Sequence, residues 1–360
     1  MDSIDMKIAL STYSGKRVLV TGHTGFKGAW LVQILKILGA NVAGYALPPS
    51  TEQSHFKSLG IQERITNVFG DIRDLEKLQL LFDDFKPEFV FHLAAQALVK
   101  DSYSDPISTY QTNVIGSANV LEAVRQCSSV RALVYVTSDK CYENFEWEWG
   151  YRESDPLGGR DPYSASKAAA ELIFSSYSRS FFENRPSFGA ASVRAGNVIG
   201  GGDWSLNRII PDCVRAFQDN GEITLRNPKS TRPWQHVLEP LSGYLLIGAN
   251  LLLNPSNFNG AWNFGPPASE VRTVFEVATT VMKHLEAGRV NIELAENSFH
   301  EAKLLQLNCD RASQLLGWST RWNIEKTLDG TATWYKEFHA GKPASEITDE
   351  QIYEYFTELK

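Results

Sequence analysis

Near the start of the chain a strand meets a helix at VTGHTGFKGAW, residues 20–30. RVLVTG (17–22) reads as a buried strand. Residues 26–39 read as a helix with Leu31, Ile34, Leu35 and Leu38 on one stripe. Gly22, Gly25 and Gly28 are spaced three apart across that junction. Glycine lets the backbone turn sharply and lets a pyrophosphate come close to the amides of a helix N-terminus. Three glycines alone are a weak signal; at the first strand–helix junction they predict a dinucleotide loop of Gly22, Thr24, Gly25, Phe26, Lys27 and Gly28.

The pattern that follows repeats strand and helix. NVAGYAL (41–47) is stopped by Pro48 and Pro49, and NVFGD (67–71), EFVFHLAA (88–95), VRALVYVTS (130–138) and FGAASVRAG (188–196) come after it, separated by helical stretches. Such alternation predicts an α/β fold, a Rossmann-like doubly wound parallel sheet with helices on both faces. Beyond residue 197 the pattern loosens into segments rich in Gly, Asn, Pro and Trp, such as GNVIGGGDW, LRNPKSTRPW and WNFGPP. The expected division is a cofactor-binding domain of residues 1–196, with 234–264 returning to it. A smaller α/β substrate domain of 197–233 and 265–360 then lies over the carboxyl ends of the strands.

Composition narrows the function classes. The chain has 360 residues and a formal charge of −7, so no basic field is present for nucleic acid or anionic lipid. The four cysteines (Cys127, Cys141, Cys213, Cys309) show no CxxC spacing and the seven histidines no HExxH, which argues against a metal site. No apolar run reaches the roughly 18 residues of a membrane span. The opening MDSIDMKIALSTYSGK lacks a signal-peptide core, and a cytoplasmic enzyme is expected.

Two further motifs carry chemistry. In DPYSASKAAAELIF (161–174), Asp161 suits an N-cap and Pro162 the first helical position. Tyr163 and Lys167 then fall on one helix face. A lysine and a positive nicotinamide beside a phenol favour its phenolate, giving a base near neutral pH. In VTSDKCY (136–142) an apolar strand ends on Ser138, Asp139 and Lys140, an ordinary strand exit or the lip of a site. After the second strand, GYALPPS offers neither the usual ribose-binding acid nor an arginine cluster, so NAD is favoured over NADP. In GDIRD, Asp71 can accept from an adenine amino group, and Asp74 is the better cap for DLEKLQLLF.

These motifs resemble the extended short-chain dehydrogenase/reductase family. TGHTGFKG matches its cofactor loop, GDIRD its adenine contact, HLAAQ (92–96) its fourth-strand end and YSASK its catalytic helix. Within it the chain is similar to the nucleotide-sugar 4,6-dehydratases. TSDKCYENFEWEWGYRESDPLGGRDPYSASK, AGNVIGGGDW, IPDCVRAF and RNPKSTRPWQHVLEPLSGYLL read like the members that act on CDP-glucose. The likeness runs from about Gly15 to Tyr355. It departs from the dTDP-glucose relatives at position 140, where they carry Thr-Asp-Glu and this chain carries Ser138-Asp139-Lys140.

The resemblance implies bound NAD, with Ile72, Leu93, Ala94 and Ala95 joining the loop and Asp71. It implies Tyr163 as the base at the sugar O4, supported by Lys167 and Ser138, with Asp139 as the acid at C6. Lys140 is either the C5 base or an orienting group. Asn197, Arg208 and Arg232 are expected at the sugar diphosphate, 224–226 beside the base, and His300 and Glu301 in a closing segment. Trp147, Trp149 and Trp204 are lid or core residues, and Thr112 and Asn113 helix packing. A homodimer or homotetramer paired through helices beginning near Ile107 and Pro162 is expected, serving 3,6-dideoxyhexose synthesis for bacterial surface polysaccharide. A nucleotide-sugar 4-epimerase would share the fold, NAD, Tyr and Lys but not need Asp139 and Lys140. A non-catalytic dinucleotide sensor would need neither set.

Overall fold

The computed structural model describes residues 3–219, 221–225, 227–286, 288–293 and 304–359. Seven parallel strands form one sheet: β1 Arg17–Thr21, β2 Asn41–Ala46, β3 Thr66–Phe69, β4 Phe89–His92, β5 Ala132–Val136, β6 Gly189–Ala195 and β7 Gly260–Phe264. Their order is β3-β2-β1-β4-β5-β6-β7. The direction of winding reverses between β1 and β4, where Thr21 lies in register with both Tyr45 and His92. A crevice opens at such a reversal, outside the carboxyl ends of the strands.

The strands are apolar on both faces because both are covered. Val18 and Val20 of β1, Phe89 and Phe91 of β4, and Ala132 and Val134 of β5 join one core. Leu19, Val90, Leu133 and Tyr135, one residue out of phase, join the other. The first core includes helix α1, Phe26–Ile37, and helix α4, Leu238–Leu253, and runs on into the C-terminal helices. Helix α1 is buried all round from Gly28 to Leu35, so the single stripe expected there is replaced by a helix sandwiched between layers. The second core is closed by helix α2, Leu75–Phe85, by Ser117–Gln126, and by helix α3, Pro162–Tyr177.

The segment containing WNFGPP, expected to lie between helices, holds β7. Trp262 and Phe264 are fully buried, and the strand pairs with β6 from Gly260↔Ala191 to Phe264↔Ala195. Helix α4 packs tightly behind it: a side chain at Gly243 would collide with the Phe264 ring at 2.4 Å. Between β6 and α4 the chain leaves the sheet for short pairs. Val198–Ile199 joins Gln235–His236, and Thr231–Pro233 joins Val271–Thr273. These lie over the carboxyl edge of the strands.

Candidate active site

The first turn of the fold is shaped by close backbone packing. Gly22 has φ +76°, and a Cβ there would sit 2.7 Å from the amide nitrogen of Ala94. A Cβ on Gly28 would lie 2.2 Å from the Gly22 carbonyl oxygen. Gly25 begins α1 with no side-chain cap, and a Cβ on it would meet only the Gly22 carbonyl at 3.4 Å. Its bareness therefore serves the cleft in front of it. A helix start of this kind presents free amides and positive potential, which fits a dinucleotide pyrophosphate.

That cleft encloses about 920 Å³ including its mouth. Residues 24–26, 46–51, 54–55, 70–72, 94–95 and Thr112 line it, and 202–205 from the second half of the chain face them. The Thr24 hydroxyl points to the wall itself, donating to the Leu47 carbonyl at 2.8 Å. Asp71 lines the cleft, but the Arg73 guanidinium grips its carboxylate through Nε and Nη2 at 2.6–3.1 Å. That grip and the Arg73 amide hold the carboxyl below its ordinary range against partial burial. Asp74, as expected, caps α2 through the Lys77 amide at 3.0 Å. Ile72, which lines the cleft, is buried, and Leu93, just before Ala94 and Ala95, is half-buried.

Ser138, Asp139 and Lys140 stand at the end of β5, where a single 3-10 turn, Asp139–Cys141, follows the strand. The Ser138 hydroxyl donates to the Asp139 carboxylate at 2.9 Å and accepts from the Lys140 amide at 3.3 Å. Asp139 is 4% exposed, and burial raises its carboxyl pKa against the lowering charges of Lys140 and Arg232 and the Ser138 bond. Gly196 leaves it room, since a Cβ there would touch Asp139 Oδ2 at 3.0 Å. Lys140 is half-buried and makes no ion pair with Asp139 or Glu143 among the described residues.

Helix α3 brings the other pair. Asp161 caps it through the Ser164 amide at 2.9 Å, and Pro162 opens it. Tyr163 and Lys167 are both buried. Burial pushes the Tyr163 phenol up to about 12; the neighbouring Ser138 hydroxyl opposes this and the Asp139 charge adds to it. The expected phenolate rests on Lys167 together with the nicotinamide charge; in the protein's own surroundings burial opposes it. Burial likewise lowers the Lys167 ammonium to about 8, against the Cys141 and Glu171 charges. Lys27, from the glycine loop, reaches the same chamber; burial and the Arg208 and Lys167 charges lower it to about 8.

The residues of the second half take different positions. Arg232 is 6% exposed, donates to the Thr231 carbonyl at 2.7 Å and is close enough to Asp139 to act on its charge. Arg208 pairs with Asp203 at 2.9 Å, so half its guanidinium is already engaged. Asn197 is half-buried, and its carbonyl accepts from the Gln235 amide at 3.1 Å. Trp147 packs on Tyr151, Trp149 is exposed, and Trp204 lines the cleft with its ring against Tyr335. Arg226, His300 and Glu301 lie outside the described residues.

Sequence reasoning missed several neighbours of the site. Ser50, Thr51 and Ser54 form a hydroxyl-bearing wall beyond β2, where no acid stands. Asn113 bonds the Gln96 amide at 2.8 Å and Ser166 at 2.9 Å, tying the end of β4 to α3. Glu171, one turn after Lys167, and Arg194, a charge inside the apolar strand GAASVRA, form a buried ion pair at 2.8 Å. Their signal was legible, because a charge in a buried strand requires a partner.

The GDP-mannose 4,6 dehydratase family model matches residues 19–331. The CDP-glucose 4,6-dehydratase of Salmonella typhimurium is 47% identical over 350 residues, 96% of this chain and 97% of that protein. Among solved structures, the UDP-glucose 4-epimerase of Thermus thermophilus in complex with NAD superposes with a TM-score of 0.75 at 26% identity. It covers 89% of this chain and 99% of its own. The dTDP-glucose 4,6-dehydratase from Streptomyces venezuelae gives 0.74 at 23% identity over 90% and 98%, a likeness of fold. A match across most of the chain and near-half identity end to end mean that this chain belongs to the nucleotide-sugar 4,6-dehydratases, within the extended short-chain dehydrogenase/reductases.

Proposed function

We propose that the chain is an NAD-dependent lyase that removes water from CDP-glucose to give CDP-4-dehydro-6-deoxyglucose. The observation that carries this reading is the meeting of a buried phenol with a buried carboxyl and a lysine at the edge of one sheet. An epimerase has no use for the second pair. The bare turn at Gly22, Gly25 and Gly28 holds the cofactor's pyrophosphate, while Ile72, Leu93, Ala94 and Ala95 line its path. NAD, when bound, accepts the C4 hydride, returns it to C6 and brings a positive charge that favours the phenolate.

The remaining chemistry belongs to the side chains. Tyr163 takes the O4 proton, with Ser138 ordering the hydroxyls between phenol and carboxyl and Lys167 steadying the phenolate. The resulting 4-ketone acidifies the C5 proton, which Lys140 removes, and the Lys140 ammonium gives a proton back to C5 when C6 is reduced. Asp139, whose carboxyl pKa burial raises, serves as the acid that donates to the departing C6 hydroxyl, and water leaves. Arg232, Arg208 and Asn197 face the diphosphate. Residues 1–196 with 234–264 serve the cofactor, and 197–233 with 265–360 the sugar nucleotide. Exposed Ile107, Ile115, Leu172 and Phe181 support a homo-oligomer paired through the helices that begin near Ile107 and Pro162, and the cytoplasm is its expected compartment.

The test is incubation with NAD and a panel of CDP-, UDP- and dTDP-glucose, read by mass. Loss of one water from CDP-glucose is expected, and its absence overturns the reading. In Lys140→Met, C4 oxidation is expected to continue while deuterium incorporation at C5 falls by about 10². Wild-type C5 incorporation in this variant would leave Lys140 only an orienting role.

A further inference from the structure

The turn that carries Ser138, Asp139 and Lys140 is gripped at both ends by one buried ion pair. On the near side, Thr137 donates its hydroxyl to Glu171 Oε1. On the far side, Arg194 Nη1 donates to the Tyr142 hydroxyl at 2.7 Å, with the guanidinium 4.8 Å from the Tyr142 ring centre. Between them Glu171 and Arg194 share two bonds, Nε to Oε1 at 2.9 Å and Nη2 to Oε2 at 2.8 Å. Ser192 donates to Glu171 at 2.8 Å, and the Tyr142 hydroxyl donates to the Asn263 amide oxygen at 2.8 Å. All six residues are buried, and both carboxylate oxygens are filled.

A buried ion pair is a poor way to add stability, because desolvation offsets most of the attraction. It is a good way to fix geometry, since every bond has a direction. Here Glu171 belongs to the helix of Tyr163 and Lys167, four residues beyond Lys167, while Thr137 and Tyr142 bracket the turn. We infer that Glu171 and Arg194, through Thr137 and Tyr142, are positioning residues that hold the Asp139–Lys140 turn in register with the Tyr163–Lys167 helix. The elimination half of the reaction is therefore more sensitive to them than the oxidation half. This rests on the dehydratase reading above.

Two probes separate the halves. CDP-6-deoxyglucose can be oxidised at C4 but has no C6 hydroxyl to lose, so reduced-nicotinamide absorbance reports oxidation alone. CDP-glucose in deuterated water reports the C5 step by deuterium at C5 of the product. In Tyr142→Phe, which keeps the ring over Arg194, oxidation is expected within about twofold of wild type while C5 incorporation relative to oxidation falls about tenfold. Thr137→Val should move the same ratio, and Thr137→Ser should restore it. General loosening would lower both readouts together. A wild-type ratio in both Tyr142→Phe and Thr137→Val overturns the inference, and if Tyr142→Phe does not fold, Thr137→Val decides alone. Failure of the unaltered chain to convert CDP-glucose overturns the dehydratase reading instead, and the inference with it.

Discussion

Two turns at the carboxyl edge of the same sheet are built by opposite means. The turn after β1 is defined by what its residues lack: at Gly22 and Gly28 no side chain fits, and the start of α1 has no cap. The turn after β5 is defined by what surrounds it, a buried ion pair with hydroxyl partners on each flank. The first is steric, the second electrostatic, and both draw on distant parts of the chain. Bareness suits a place where a ligand's phosphates supply the missing partners. A filled network suits a place where catalytic groups must keep their aim without help from the ligand.

The comparison is sharpest at Glu171. Glu171→Ala leaves the Arg194 guanidinium buried without its carboxylate, and stability should fall by about 3–5 kcal/mol. Denaturant unfolding measures this, and a loss comparable with a surface substitution would show that the second turn does not depend on its pair. Gly28→Ala tests the steric turn. A methyl pressed against the Gly22 carbonyl should cost about 1–3 kcal/mol and weaken NAD binding together with it. Unchanged NAD affinity by calorimetry would mean that the turn accommodates a side chain.

Acid separates the two turns by a different route. The polar support beneath the first is neutral: Thr21 meets His92 Nδ1 at 2.7 Å, and Ser117 meets its Nε2 at 2.9 Å. Burial, with the Lys167 charge, lowers His92 from 6.5 to about 3. Between those values the unfolded chain binds the proton and the folded chain does not. The stability His92 contributes is thus complete above about pH 6.5 and is lost as pH falls toward 3, at up to about 1.4 kcal/mol per pH unit. His92→Gln should flatten the fall of melting temperature across that window. An equal slope in both proteins would remove His92 from the account.

What the sequence disclosed follows the same division. The glycine loop, the Asp161 cap and the Tyr163–Lys167 spacing are local patterns, and each was readable within a dozen residues. Six of the seven strands showed themselves as β-rich runs. The seventh, GAWNF, is five residues set among Asn, Gly and Pro, and only its pairing with β6 makes it a strand. The cleft wall at 202–205 falls in a segment expected over the carboxyl ends of the strands, but its meeting with residues 24–26 follows only from the fold. Arg194, a charge in a buried strand, was passed over although it calls for a partner, and nothing local names Glu171, Tyr142 or Thr137 as its neighbours. The burial that raises the Tyr163 phenol was not legible from residue spacing, since it comes from the packed fold around the helix.

The ion pair behind Ser138, Asp139 and Lys140 also bears on what can be transplanted. Its bonds join α3, β6, β7 and the residues on either side of the turn after β5, so the trio is one visible part of a larger unit. On the roles proposed for them above, grafting Ser-Asp-Lys alone onto another scaffold of this fold would move the side chains without their aim. The transferable unit also contains Thr137, Tyr142, Glu171, Ser192, Arg194 and Asn263, and substitutions within that set would have to be exchanged together.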